Sequence, residues 1–510
     1  FDAPRRPWLE PVEPTLTLES LLGAHDVADA EDSVDGRPDV DVSAAPAVRL
    51  GIADEPDHQR QRVATFALDG TSLGAFGADM GSLGALVEAL VLSAGHGDAN
   101  GAVRFDVVDG GAALGRVEHL ANVGSVIDAT DTERIERLLG ELLARRGGMD
   151  RSGSAAHRVI VVHHLGAVLA SMGRHGQRFV QSLDALMVDG RAAGVTVVLT
   201  CDRRRSMPYE LFGALGARFV FAMADDAEYA LVSPGAGVVH RAAGPLGWFE
   251  GATVQVPRRC GDAQFLELVD RHGLRGDAHP AVGRLAQHCA LSDLEVDPMA
   301  APWSWPIGIA DATLKAATVD LQATNLLVAG PVRSGKTTAL ATIVHSAKHA
   351  GCHTASDPVR VIVVAGRGEP DGALRAQDLD VVVAGDDIEA IAALGPTLID
   401  TTDAVVVVVD DAHELCDAAA RALDGIVGDL RRSSVRFVVA CDSVAARSAF
   451  APLVTRIRRE RHCVLVRPES ELDGDVAGVR LGRFGRYAVP GRAELVRDGE
   501  ASLVQIAMPW

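Results

Sequence analysis

The chain has 510 residues, of which 48% are hydrophobic and 23% are charged, and its formal net charge is −20 at pH 7. This length usually corresponds to about three domains of roughly 100–200 residues, and the apolar content excludes a wholly disordered chain. The acidic balance argues against strong nucleic-acid binding, because a protein that neutralises many phosphates carries a basic surface. No apolar run approaches the roughly 20 residues that span a bilayer, and the seven cysteines form no C-x-x-C pair that would suggest a zinc site.

The N-terminal part, residues 1–44, is predicted to be a leader followed by an acidic arm. Acidic residues dominate from residue 19 to residue 41, where Arg37 is the single arginine or lysine. Such a composition favours a solvated arm. The chain begins with Phe1 and no signal segment follows it, which suggests a piece of a longer protein.

Beyond the arm, the sequence repeats itself. The tetrapeptide G-I-A-D occurs at Gly51 and again at Gly308, and a similar strand-like segment closes each copy, at residues 253–256 and 503–506. A Gly-rich turn follows each tetrapeptide at a similar distance. Matches that keep the same order along the chain indicate two homologous modules.

The two modules are predicted over residues 45–259 and 301–510, and residues 260–300 are predicted to link them. In the second module the apolar runs show no alternation with polar residues, which is typical of parallel strands buried on both faces. These runs cover residues 325–329, 359–365, 381–384, 404–409 and 435–440. The predicted fold class is therefore α/β, with a mainly parallel sheet flanked by helices in each module.

A phosphate-binding loop is the strongest motif. Residues 330–337 match the pattern G-x-x-x-x-G-K-[ST] and lie between a predicted strand and a predicted helix. In this pattern backbone N–H groups bind phosphate, the lysine bridges the β and γ phosphates, and the hydroxyl ligates Mg²⁺. We therefore expect ATP and Mg²⁺ as cofactors. The predicted nucleotide-binding residues are Gly330, Pro331, Val332, Arg333, Ser334, Gly335, Lys336, Thr337 and Thr338.

Two carboxylates follow a later strand of the same module. Asp410 and Asp411 come directly after the apolar run that ends at Val409, at the edge where open α/β sheets bind nucleotides. We predict that Thr337 and Asp410 ligate Mg²⁺ and that Asp411 orients the attacking water. The predicted catalytic residues are Lys336, Asp410 and Asp411.

Together these features resemble a known family. The double module, the loop G-P-V-R-S-G-K-T-T, the strand V-V-V-D-D and the closing segment R-D-G-E-A-S-L-V-Q-I are similar to FtsK/SpoIIIE-type ATPases, and most like the second and third ATPase modules of EccC/EssC from type VII secretion. The resemblance covers nearly all of residues 45–510. It implies two tandem RecA/FtsK-like P-loop NTPase modules.

The resemblance also implies a cellular setting. It implies the cytoplasmic, soluble part of a membrane-associated secretion complex, with contacts to other subunits of that complex. It implies a homo-oligomeric, hexameric ring and a secreted substrate protein whose helical C-terminal export signal docks on the last module. Nucleic acid is not an expected partner.

The first module departs from the phosphate-loop pattern. Ser82, Leu83 and Gly84 stand where the pattern requires glycine, lysine and a hydroxyl, and His163 and His164 replace both carboxylates. Each lost charge-assisted contact is worth roughly 1.5–3 kcal/mol, so we predict a catalytically dead module. A zinc site at the two histidines would need a third or fourth ligand, and the spacing offers none, so we interpret them as polar replacements in a dead site.

The second module departs less. Asp411 is shorter by one methylene than the glutamate often found there, and Asp442 stands where DNA pumps of the family tend to have glutamine. Misplacement by about 1 Å costs on the order of a hundredfold in rate, so nucleotide binding is better supported than fast hydrolysis. Arg203, Arg204 and Arg205 suit either an arginine finger or, more commonly, a solvated loop.

Three functions are compatible with this pattern. The leading hypothesis is a coupling ATPase of type VII protein secretion whose second module hydrolyses ATP slowly, if at all. The first alternative is a DNA translocase of the same superfamily, against which the acidity counts. The second alternative is a non-hydrolysing interaction module that bound ATP stabilises.

Overall fold

The computed structural model divides the chain into two compact units, one ending at Gly283 and the other beginning at Arg284. Among the described residues, no helix combines the length and apolar character needed to cross a membrane. The structure describes residues 15–24, 46–97, 102–146, 157–233, 245–276, 281–295, 301, 303–350, 359–366, 368–370, 372–430, 434–448, 451–481, 487 and 489–509. Most of the predicted leader and acidic arm lies outside these residues.

The described part of the first unit forms one ten-stranded sheet with helices. The strands are β1 (Ala47–Glu55), β2 (Arg60–Ala67), β3 (Leu73–Phe76), β4 (Val103–Asp109), β5 (Val123–Asp128), β6 (His157–His163), β7 (Val195–Cys201), β8 (Ala217–Phe221), β9 (Leu246–Phe249) and β10 (Ala252–Gln255). The helices are α1 (Leu18–Gly23), α2 (Met80–Gly97), α3 (Thr132–Arg146), α4 (Leu165–Met172), α5 (Gly176–Ala193), α6 (Tyr209–Gly213), α7 (Asp226–Val232) and α8 (Asp262–Arg271).

The second unit repeats this architecture over its described residues. The strands are β11 (Ser304–Ala310), β12 (Ala316–Asp320), β13 (Leu326–Gly330), β14 (Arg360–Ala365), β15 (Val381–Ala384), β16 (Val405–Asp410), β17 (Val435–Asp442), β18 (Cys463–Val466), β19 (Arg492–Arg497) and β20 (Glu500–Ile506). The helices are α9 (Lys336–Ala350), α10 (Gly372–Arg375), α11 (Ile388–Ile399), α12 (Asp417–Asp429), α13 (Ser443–Arg447) and α14 (Pro452–Arg458).

Strand order is the same in both sheets. The orders are β2-β1-β10-β9-β8-β3-β7-β6-β4-β5 and β12-β11-β20-β19-β18-β13-β17-β16-β14-β15. The strands from β8 to β5 and from β18 to β15 pair in parallel, whereas β1, β2, β9 and β10 and their counterparts pair antiparallel. The predicted α/β fold with a mainly parallel sheet is therefore confirmed, and the repeat seen in the sequence is a repeat of topology.

Burial on both faces explains the apolar runs. In β16, Val405, Val407 and Val409 pack into the core on one face of the sheet, and Val406 and Val408 pack into the core on the other face. Successive side chains of a strand point to opposite faces. A strand covered by helices on both sides therefore needs apolar residues at every position.

Several helices begin where a short polar side chain caps free backbone N–H groups. The Asp387 carboxylate accepts from the N–H of Ala390 (2.9 Å) at the start of α11, and the Asp442 carboxylate accepts from the N–H of Val444 (2.9 Å) at the start of α13. Asp442, the departure noted in the sequence, therefore caps the helix that leaves β17.

The repeat extends to the segments that precede each sheet. In the first unit the N–H of Arg258 donates to the carbonyl of Leu16, and in the second the N–H of Met508 donates to the carbonyl of Cys289, both at 2.9 Å. Residues predicted as a linker are thus divided between the units. Helix α8 belongs to the core of the first, whereas Leu285 packs against Leu503 in the second.

Candidate functional site

The phosphate loop of the second unit connects β13 to α9. Arg333 and Gly335 have positive φ angles of 60° and 101°, so the backbone curls as the motif requires. A Cβ at Gly330 would lie 2.5 Å from the carbonyl oxygen of Val466 and 2.6 Å from Oγ of Ser334. Glycine is therefore required at the first position, because the loop passes against the strand beside it.

Lys336 lies inside this loop. Its side chain is buried, and Nζ donates to the carbonyl oxygens of Gly330 (3.1 Å) and Pro331 (2.9 Å). The ammonium group is thus held among backbone oxygens within the loop. Phosphate oxygens are stronger, charged acceptors for the same protons.

Thr337 and Asp410, the two predicted Mg²⁺ ligands, are in contact. Oγ1 of Thr337 donates to Oδ2 of Asp410 (3.2 Å), and the N–H of Asp411 donates to Oδ1 of Asp410 (3.0 Å). Burial, together with the charge of Asp411, raises the pKa of Asp410 above its ordinary value in spite of these hydrogen bonds. A hydroxyl and a carboxylate are the hard oxygen donors that Mg²⁺ prefers, and a cation here would stabilise the ionised carboxylate. The residues present therefore fit the metal.

Asp411 occupies a special backbone position. Its φ is 47°, and His164, its counterpart in the first unit, has a φ of 57°. A Cβ at Gly366 would lie 2.5 Å from the carbonyl oxygen of Asp411, and one at Gly110 would lie 2.7 Å from that of His164. The left-handed bend is therefore a feature of both modules, and it places residue 411 at the carboxyl edge of the sheet beside the phosphate loop.

A pocket of about 260 Å³ opens beside the loop. Its lining combines the loop and the start of α9 with the ends of β18 and β20. The lining residues include Arg333, Ser334, Gly335, Thr338, Ala339, Val466, Arg467, Gln505, Ile506, Ala507 and Met508. The pocket therefore adjoins the phosphate loop on the side of β18 and β20.

In the first unit, the described residues that follow Gly77 form no comparable loop. Helix α2 begins at Met80, three residues after Gly77, whereas α9 begins six residues after Gly330. Positions predicted as part of a Gly-rich turn are therefore helical. Leu83, in the place of the lysine, is buried in the hydrophobic core.

A carboxylate of the chain itself caps the start of α2. Asp79 accepts from the N–H groups of Gly81 (3.1 Å) and Ser82 (2.9 Å) and from the Ser82 hydroxyl (2.7 Å). These hydrogen bonds, with that of the Ser82 hydroxyl the strongest, lower the pKa of Asp79. A helix N-terminus is the place where phosphate loops bind their anion. In this module an internal anion already occupies it.

A buried network of ion pairs involves helix α2. Glu88 of α2 is 0% exposed and forms ion pairs with Arg116 (2.6 Å) and Arg259 (2.7 Å). A Cβ at Gly84, the counterpart of Thr337, would lie 3.4 Å from Nη1 of Arg259. The sequence analysis did not identify these residues, because the three charges are far apart in the chain and only the fold brings them together.

His163 is a buried, neutral side chain. Its Nδ1 lies 3.0 Å from Oγ1 of Thr200, and burial lowers its pKa to about 4, although the charge of Asp109 opposes this shift. Within the described part of the chain, no three His, Cys, Asp or Glu side chains converge as a zinc site at His163 and His164 would require.

The three neighbouring arginines lie in different environments. Arg203 pairs with Asp202 at 2.6 Å, and the guanidinium of Arg204 lies 3.8 Å from the ring centroid of Phe212. Arg205 is exposed. Two of the three side chains are therefore engaged within their own unit.

Comparison with known proteins gives relatives at low sequence identity. No model of a known protein family matches the chain. A curated protein, the ESX-4 secretion system protein EccC4 of Mycobacterium tuberculosis, is 26% identical over 241 residues, a match that covers 43% of this chain and 18% of that protein. The chain thus matches less than a fifth of the length of this relative.

Solved structures match the whole architecture. The cytoplasmic domain of Thermomonospora curvata EccC superposes with a TM-score of 0.71 at 18% identity, over 98% of this chain and 64% of that one. ATPases 2 and 3 of the same EccC, in complex with a signal sequence peptide, give 0.71 at 19% identity over 98% and 99%. ATPases 2 and 3 of EssC from Geobacillus thermodenitrificans give 0.67 at 17% identity over 98% and 100%. The predicted resemblance to these tandem modules is confirmed at the level of the fold.

Proposed function

We propose that this chain is an ATP-binding coupling ATPase of a type VII (ESX-like) protein secretion system, in which the second unit binds Mg-ATP. One observation carries the proposal. The loop that holds Lys336 and the pair formed by Thr337 and Asp410 meet at the carboxyl edge of one sheet. The likeness to EccC and EssC modules supports the secretion setting, and with it a cytoplasmic ring within a membrane-associated complex.

In this proposal each residue has one task. The N–H groups of the loop and Nζ of Lys336 bind the β and γ phosphates, and Thr337 and Asp410 hold Mg²⁺. The metal, when bound, neutralises phosphate charge. Asp411 accepts a hydrogen bond from the attacking water and orients it, although its short side chain favours slow hydrolysis.

The first unit, by the same reasoning, binds no nucleotide. The carboxylate of Asp79 occupies the helix N-terminus, Leu83 supplies no charge, and Arg259 packs over Gly84. A triphosphate would have to displace an anion and a buried ion network, and it would gain no lysine or metal in return.

The direct test is ATP binding by the whole chain, measured by calorimetry with Mg²⁺. We expect one site per chain, lost in Lys336→Ala and kept in Lys315→Ala, since Lys315 is an exposed lysine of the same unit. Two sites per chain, or binding that survives Lys336→Ala, would contradict the proposal.

We infer the surface that binds the secreted substrate from a comparison of the two units. In the first unit Val282 is buried in the core beside β5 and α3. Its N–H donates to Oγ of Ser125 (2.7 Å), and its carbonyl accepts from Nε of Arg134 (2.9 Å). The segment that contains Val282 therefore covers the β5 edge of the first sheet and inserts one apolar side chain into the core.

In the second unit the corresponding edge of the sheet, at β15, carries apolar residues in place of these hydrogen-bonding side chains. The strand register makes Val381 of β15 the counterpart of Ser125, and the helix starts make Ala390 of α11 the counterpart of Arg134. Both are partly buried apolar residues that pack against the core. Val382, next in the strand, is 47% exposed.

We assign this edge surface, defined by Val381, Val382, Ile388 and Ala390, to the export signal of the secreted substrate. Its apolar residues suit an apolar anchor residue of the signal, in the way that the first unit receives Val282. Exposed acidic residues beside it, such as Glu389, favour basic residues next to that anchor. The signal sequence peptide bound to Thermomonospora curvata EccC supports a peptide ligand for this fold.

The test of this edge surface uses that signal sequence peptide, fluorescently labelled. We expect saturable binding that Val382→Glu abolishes and that Val188→Glu leaves unchanged, because Val188 is an exposed valine of the first unit and not part of β15. Binding that is lost with Val188→Glu and kept with Val382→Glu would assign the peptide to the other unit.

A further inference from the structure

We propose that Arg333 and Arg467 hold the base of the bound nucleotide, with their guanidinium groups stacked on it in the pocket beside the phosphate loop. This inference rests on the proposed function, since it requires a nucleotide in the loop of the second unit. It adds Arg467 to the predicted nucleotide-binding residues, and it gives Arg333 of the loop a specific task, which is to stack on the base.

The two arginines come from separate parts of the chain to one pocket. Arg333 belongs to the phosphate loop, and Arg467 directly follows β18, yet both line the pocket of about 260 Å³. Its other walls are largely apolar, with Ala339, Ile506 and Ala507 among them. An apolar slot with cationic groups at its margin suits a flat aromatic ring better than it suits phosphate.

Both arginines are in positions that packing within the unit does not explain. Their side chains are exposed, and neither guanidinium has a hydrogen-bond or ion-pair partner among the described residues. Both also have left-handed backbones, with φ of 60° for Arg333 and 49° for Arg467. Non-glycine residues rarely adopt this conformation, and those that do are concentrated at functional sites.

The positions of the two arginines can be compared with the equivalent positions of the first unit. Counting from Gly77 and Gly330, the counterpart of Arg333 is Met80. The strand pairs of β3 with β8 and of β13 with β18 make Ala222 the counterpart of Arg467. The module without a phosphate loop therefore lacks both arginines.

Gln505, in contrast to the two arginines, has an identical counterpart in the first unit. Gln505 also lines the pocket, and its Nε2 donates to the carbonyl of Pro490 (2.9 Å). Its counterpart Gln255 makes the same kind of hydrogen bond to Pro245 (3.4 Å) in the first unit. A side chain that both modules keep with the same partner supports the fold, whereas the arginines occur only together with the intact loop.

Stacking predicts a selective effect on the nucleoside end of the ligand. The probes are Mg-ATP and Mg-tripolyphosphate, which share the phosphates but differ in the base and ribose. Arg333→Ala and Arg467→Ala are each expected to weaken ATP binding by about 3- to 30-fold more than tripolyphosphate binding. The Lys variants at these positions keep the charge but lose the planar group, so they should also lose ATP selectively. Arg421→Ala, an exposed arginine on α12, is the control and should change neither affinity.

Three results would overturn the inference. Unchanged ATP affinity in both alanine variants removes the stacking role. An equal loss for both probes, restored by the Lys variants, shows that the arginines contact phosphate and not the base. If the unmodified chain binds neither probe and Lys336→Ala makes no difference, the proposed function fails, and the inference fails with it.

Discussion

Oγ1 of Thr337 donates a hydrogen bond of 3.2 Å to Oδ2 of Asp410, which lies 73 residues further along the chain. The contact joins the first turn of the helix after the phosphate loop to the end of the strand that carries the acidic pair. Both predicted metal ligands are thus already side by side in the protein. The geometry of the second unit therefore needs little rearrangement to receive a magnesium ion.

Lys336→Ala should remove the stabilisation that Mg-ATP provides. A ligand at a hundred times its Kd stabilises the folded state by about 2.7 kcal/mol, and the variant should show almost none of this. The measurement is the unfolding temperature with and without Mg-ATP. Lys315→Ala is the matched control, and a full ligand-induced shift in Lys336→Ala would contradict the site.

Asp410→Asn should have opposite effects on the free protein and on binding. Burial raises the pKa of Asp410, so ionisation of this carboxyl group in the folded state is unfavourable. The folded state therefore loses stability as the pH rises from the pKa that Asp410 has in the unfolded chain through the higher pKa that it has in the folded protein. At neutral pH the neutral Asn variant should therefore be more stable than the original protein in the absence of ligand. The same variant should lose the Mg²⁺ dependence of ATP binding. Denaturant titration and calorimetry measure the two effects, and a destabilised variant with intact Mg²⁺ dependence would refute both.

Glu88→Gln should destabilise the first unit without changing ATP affinity. It leaves Arg116 and Arg259 without their charged partner in a buried site, and breaking such a network costs about 3–5 kcal/mol. Glu267→Gln, which removes an exposed ion pair with Arg271, is the control and should change the stability only slightly. Weakened ATP binding in a folded Glu88→Gln protein would mean that the first unit takes part in the nucleotide site.

Asp79→Ala should lower stability modestly and create no new nucleotide site. Loss of a helix cap costs about 0.5–2 kcal/mol. The vacated helix N-terminus still lacks a loop, a lysine and metal ligands. The stoichiometry of ATP binding should therefore stay at one per chain, and a second site in this variant would show that Asp79 alone had blocked it.

The stability of the first unit should fall in mild acid. The pKa of His163 is lowered to about 4, so below the ordinary value near 6.5 the unfolded chain binds a proton that the folded chain does not. The contribution of His163 to the free energy of unfolding is complete above about pH 6.5 and decreases as the pH falls towards 4. At pH 5 the free energy of unfolding should be lower by about 2 kcal/mol. His163→Gln should flatten the pH dependence of unfolding by that amount. An unchanged profile would show that His163 titrates normally.

The sequence by itself determined the parts of this protein that depend on local spacing. The loop from Gly330 to Thr337 and the apolar strand before Asp410 can be recognised because each is a contiguous pattern. The tandem repeat can be recognised because its separate matches keep the same order and spacing along the chain. The fold class then follows, since runs that are apolar at every position indicate parallel strands buried on both faces.

Tertiary structure alone decided which distant residues meet. The network of Glu88, Arg116 and Arg259, the position of Arg467 beside Arg333, and the insertion of Val282 beside β5 join residues from separate parts of the chain. The physical reason is that a charge or an apolar side chain looks the same in sequence whether it faces solvent or a partner. Its role is set by burial and by the neighbours that folding supplies.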